Sequence, residues 1–176
     1  MLQCGTSGAH SPDMNSTERK LLHGLARELF QAEVSALMHA RREAVRYEGS
    51  APATAMLDVA HHAERGLDAL GKMLEVRDIR ANGLLGAAAG LAFSVVRKAG
   101  LDFVLGPERS YRLTLLGMRH GIDLVYELKL LAEQLGDEQL AGFCRTWLER
   151  RLPAVTAVER QLGWFVTHID RAFVAG

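Results

Sequence analysis

The strongest constraint on this chain is the spacing of its apolar residues, which recur every three or four positions between a few glycine- and proline-marked breaks. That period belongs to an α-helix with one apolar face. Leu22, Leu25, Ala26, Leu29, Glu33, Ala36 and Ala40 form the first stripe, and Ser16 or Thr17 is placed to N-cap it, with Glu18 near its positive end. The spacing predicts a helix over 16–48, ended by Gly49-Ser50. Pro52 suits the first turn of a second helix over 52–79, striped by Met56, Ala60, Ala63, Leu67, Leu70 and Leu74. Gly106-Pro107 opens a third helix over 107–135, and Gly136-Asp137 separates it from a fourth over 138–170. Pro153 removes one backbone hydrogen bond inside the fourth helix and predicts a kink.

Two of the breaks are short. The third, residues 81–106, is a glycine-bearing stretch of small apolar residues with a helix expected through Leu84–Lys98. Such a stretch is too long for a turn and reads as a crossover lying against the helices. Two antiparallel hairpins joined by one long crossover, with an extra helix inside it, is the ferritin-like four-helix-bundle topology; an up-down-up-down bundle needs three short loops. At about 1.5 Å per residue the bundle would be roughly 45 Å long. The third helix carries Tyr111, Leu115, Met118, Ile122 and Val125 on one stripe and Leu113, Leu124, Leu128, Leu131 and Leu135 on a second, read as lying on nearly the opposite side. Two apolar faces predict a helix sandwiched between layers or at a subunit interface. Val34, Met38 and Val45 add apolar surface outside the first stripe. A homodimer is the expected assembly.

Composition narrows the function classes. The 176 residues are one domain's worth, 16–176, behind a tail of 1–15 expected to be disordered. Lys+Arg and Asp+Glu both total 21, so no net field draws the chain to nucleic acid or to an anionic membrane. The clusters Arg41, Arg42, Arg46 and Arg150, Arg151 read as solvated helix faces. Cys4 and Cys144 stand too far apart in the chain to suggest a metal pair, and free thiols in a reducing cytoplasm are expected. The first fifteen residues lack the basic and apolar regions of a signal peptide. The apolar run Gly83–Val96 falls short of the ~20 residues that span a bilayer, which leaves a buried segment or, less favoured, one lying on a membrane surface.

Acids and histidines on the apolar stripes are where chemistry would sit. Glu33 lies between Leu29 and Ala36, where a carboxylate needs a partner. In the second helix, His61 and Asp58 point away from the Met56–Leu74 stripe and His62 lies on its flank. The third helix offers His120, Asp123 and Glu127; His120 is either a ligand or a satisfied core histidine, and Arg119 is spaced to pair with Asp123. In the fourth helix the stripe between Leu148 and Val155 holds Arg151, spaced to form a buried ion pair with Glu33 across the bundle. No P-loop, nucleophile triad or dinucleotide fingerprint is present; GLLGAAAGL follows no strand.

The segments FQAEVSAL around Glu33, HAERGLDAL from His62, HGIDLVYELKLLAEQLG from His120 and WLERRLPAVTAVERQL from Trp147 resemble the YciF-type, stress-associated ferritin-like proteins of bacteria, over about 130 residues. A more distant likeness, through the small-residue crossover, is to membrane-associated di-iron quinone hydroxylases. The resemblance implies a bundle, often dimeric, with a di-iron or di-manganese site, and places Glu33 and His62 at ligand positions. The chain departs from that pattern at Val59, where an acid is expected, and at Glu149-Arg150, where an acidic pair is expected.

Three readings follow. In the first, a bundle without its full ligand set, holding no metal, serves as a structural or stress-related interaction protein. In the second, Glu33, His62, His120 and Asp123 form an irregular iron or manganese site of an oxidoreductase. A membrane-surface protein using Gly83–Val96 is the third possibility.

Overall fold

The computed structural model describes residues 14–77, 79 and 106–173, and every secondary-structure element among them is helical. Four long helices, α1 (Ser16–Arg46), α2 (Ala51–Glu75), α3 (Pro107–Gln134) and α4 (Glu138–Arg160), are followed by two short ones, α5 (Leu162–Thr167) and α6 (Ile169–Ala172). The expected breaks at Gly49, Pro52, Pro107 and Gly136 are where the helices part.

Local chemistry explains the boundaries. Asn15, rather than Ser16 or Thr17, is the N-cap of α1: its side chain accepts from the Thr17 and Glu18 amides while Glu18 reaches back to the Asn15 amide. This reciprocal pairing satisfies donors that a helix start leaves open. Gly49 and Gly136 have φ of 77° and 67°, a backbone that costs glycine nothing and other residues strain. Asp137 then caps α4 through the Leu140 amide and receives Arg77 on both oxygens, at 2.8 and 2.6 Å.

The helices pack in a ring. α1 touches α2 and α3, and α4 touches α2 and α3. Arg41 meets Glu64 across α1 and α2, whereas Glu33 lies against Gly66, so these helices are antiparallel. On α3, Ser110 meets Glu43 and His120 meets Glu28, antiparallel again. α2 and α3 therefore run parallel, and Glu75 and Pro107 lie at opposite ends of the core. The expected crossover 81–106, the Gly83–Val96 run, Cys4 and the tail to residue 13 fall outside the described residues, apart from Gly106 at the start of α3.

Two expectations need correction. The fourth helix stops at Arg160, not near 170. Tyr111 on α3 already lies level with Val158, to whose carbonyl its hydroxyl donates. A straight helix to 170 would overshoot the core by about 15 Å; turning at Gln161 instead sets Phe165, 3% exposed, against Tyr47 and Tyr111. Pro153 lies within α4 without ending it. In α3, the stripes do not oppose each other: Leu124, Leu128 and Leu131 share the core with Met118 and Val125, while Leu113 is exposed. No described helix is long and apolar enough to cross a membrane.

Candidate functional site

The period of α1 drives two acids inward. Glu33 is 1% exposed and Glu43 is fully buried. A carboxylate away from water needs donors or a proton, and the two acids find them differently.

Glu33 meets Arg151 of α4, itself 1% exposed. One terminal nitrogen, Nη2, donates to both carboxylate oxygens, at 2.7 and 2.6 Å. Nε donates to His62 Nδ1 at 2.8 Å. A guanidinium N–H can only donate, so Nδ1 holds the lone pair and His62 carries its proton on Nε2. Burial, followed by the charges of Arg151, Arg65 and Arg150, lowers the imidazole to about 3. Burial raises the Glu33 carboxyl to about 7, against the opposing pull of Arg151 and Trp147. Burial also lowers the Arg151 guanidinium, with Glu33 acting the other way.

Trp147 and Gly66 shape the space around this cluster. Trp147, one turn before Arg151, stacks under the guanidinium, with the Arg151 carbon 4.7 Å from the ring centroid. The same indole meets His62 edge-on, at 5.5 Å between centroids. Its Nε1 is buried without a hydrogen bond of good geometry, although it lies close enough to the carboxylate to lower the Glu33 pKa. A Cβ on Gly66 would lie 2.6 Å from Glu33 Oε2 and 3.3 Å from Trp147 Nε1. Only a glycine leaves the carboxylate where it is.

Glu43 sits ten residues on, at the end of the core where α3 begins. The Ser110 hydroxyl donates to it at 2.7 Å. Arg46 approaches both oxygens at 3.4 and 3.3 Å and Arg42 approaches one at 3.4 Å. These arginine side chains are 28% and 31% exposed. Beneath them Tyr47, Tyr111, Trp164 and Phe165 pack mostly edge-to-face. Burial raises both tyrosine hydroxyls, and the Glu43 charge adds to the rise at each.

The structure thus brings Glu33, Arg151 and His62 together and leaves His120 and Asp123 outside. Both are exposed; at 100° per residue they point roughly 140–160° away from Met118 on α3. His120 pairs with Glu28 at 3.1 Å on the surface, and Arg119 pairs with Glu159 of α4 instead of Asp123. His62, expected on the flank of α2, is 6% exposed because Trp147 and Arg151 cover that flank. The sequence reading missed Glu43, Trp147 and Gly66. Glu43 continues the stripe three residues after Ala40; Trp147 and Gly66 each lie one turn from a residue already singled out.

The residues present do not fit an iron or manganese pair. Glu33 and His62 converge, but upon a cation that the chain itself supplies, and Val59 is fully buried where an acid was expected. Among the described residues no group of three or more His, Cys, Asp or Glu side chains is placed to hold a metal ion. Cys144 is a buried free thiol that burial pushes up to about 12, so it is no nucleophile at neutral pH. No protein-family model matches the chain, and no curated protein or solved structure matches it.

Proposed function

We propose that this chain is a ferritin-like helical protein in which a guanidinium holds the centre of the core, and that it serves as a structural or stress-related interaction module. The observation that carries this reading is the Arg151 side chain, buried between Glu33 and His62 and hydrogen-bonded to both. A divalent ion would have to displace a positive charge bonded at 2.6–2.8 Å and find further ligands among apolar neighbours. The ring order of the helices and the parallel run of α2 and α3 support a ferritin-like connection.

With the core sealed, function falls to the surface. α3 exposes Leu113, Leu116, Tyr126 and Leu130, and α1 exposes Met38 and Val45. Apolar side chains on the outer faces of helices suit association, here proposed as a cytoplasmic homodimer. The test is total metal content of protein purified without chelator or affinity tag, beside a Glu33→Ala control. The expected result is no stoichiometric iron or manganese in either protein. Metal near two per chain, lost in the control, would make the oxidoreductase reading correct instead.

A further inference from the structure

The core is assembled from two hairpins, α1–α2 and α3–α4, and buried or half-buried polar contacts cross the seam between them at three levels. At one end Ser110 donates to Glu43 at 2.7 Å. Midway, Arg151 binds Glu33 and His62 at 2.6–2.8 Å. At the other end Arg77 grips Asp137 at 2.6 and 2.8 Å. A further crossing pair, His120 with Glu28, is more than half exposed on both sides and discriminates little.

We propose that these three contacts set the register in which the hairpins dock, and that Arg151 is the determinant that selects one arrangement over its neighbours. The rest of the seam is largely Leu, Ala, Val and Met. Such side chains repack in a shifted arrangement at modest cost as long as volume is kept. The polar contacts do not shift. Sliding one hairpin by a single helical turn, about 5.4 Å, carries every donor out of reach of its acceptor. It would leave Glu33 and Arg151 buried without partners, the costly state for a charge, and would take Ser110 from Glu43, which keeps Arg42 and Arg46 of its own helix. The middle contact is the most selective, because its members are at most 6% exposed, whereas Arg77, Asp137, Arg42 and Arg46 each reach water in part. Arg151 also addresses both helices of the opposite hairpin, Glu33 on α1 and His62 on α2, so it senses rotation as well as sliding.

Selection and stability are separable, which makes the proposal testable. An intact buried pair need not add stability relative to apolar residues of similar size, while it penalises every mispaired state. The experiment is the full chain carrying Glu33→Leu, His62→Leu and Arg151→Met together, compared with wild type by denaturant unfolding, amide hydrogen exchange and sedimentation velocity. The triple variant is expected to keep its unfolding midpoint or raise it. Its α3 and α4 amides should exchange at least tenfold faster in the native state, and its single sedimenting species should broaden into several. A triple variant with wild-type exchange protection and one species would overturn the proposal. So would a variant that no longer folds, since the cluster would then supply stability rather than selection.

Discussion

Glu33 and Glu43 lie on the same face of one helix, are equally buried, and live in opposite circumstances. Glu33 is bonded at short range to a sealed guanidinium whose Nε is committed to His62. Glu43 has one short bond from Ser110 and two longer approaches from arginines whose ends reach solvent. The first acid depends on one cation that has nowhere else to go. The second is served by cations that can turn to water. Burial of a charge alone therefore says little about its importance; the alternatives open to its partner decide that.

The largest expected effect follows from this contrast. Glu33→Leu strands Arg151 in the core and should cost about 3–5 kcal/mol, whereas Glu43→Leu should cost about 1–3 kcal/mol, because the Arg42 and Arg46 side chains already reach water in part. Urea unfolding of the two variants under one condition checks the order. Equal losses would show that the exposure of the partner cation does not set the cost.

Gly66→Ala probes how firmly Arg151 holds the Glu33 carboxylate. Alanine favours a helix by about 1 kcal/mol over glycine, but its Cβ would meet a carboxylate oxygen at 2.6 Å. Because Arg151 pins that oxygen, the expected result is a net loss of about 1–3 kcal/mol from overpacking. In a Glu33→Ala background the same change should become neutral or stabilising, which thermal unfolding of the four proteins would reveal.

Acid–base linkage gives a smaller effect. Glu33 is raised to about 7 from an ordinary 4.5, so between those values the folded chain holds a proton that the unfolded chain lacks. Stability from this group falls as pH rises through that window. His62 is lowered to about 3 from 6.5, so the unfolded chain holds the extra proton, and stability from it rises with pH from 3 to 6.5. Over 4.5–6.5 the two slopes oppose each other. His62→Gln removes one of them, and its unfolding free energy should then tilt downward relative to wild type as pH rises from 4.5 to 6.5. A pH profile parallel to wild type would contradict the assigned charge states.

The helices and their breaks were legible because periodicity and glycine or proline act locally: Gly49, Pro52, Pro107 and Gly136 mark real boundaries. The pairing of Glu33 with Arg151 was also accessible, since each is a charge on an apolar stripe and a buried charge calls for its opposite. Other features depend on neighbours in space. His62 is buried by α4, Gly66 matters only through the carboxylate above it, and the turn at Gln161 follows from where the other helices end. His120 was misplaced because the leucine-rich second stripe of α3 suggested a second buried face that the packing does not provide there, and Asp123 is exposed on the same outer side.

Glu33 and Arg151 act as one unit at the centre of the core, and a double-mutant cycle with Glu33→Ala and Arg151→Met measures that dependence. The expected coupling is about 3 kcal/mol, the double variant being far less destabilised than the two single losses added together. Additive losses, within about 0.5 kcal/mol, would contradict it and show two side chains that are close without depending on each other.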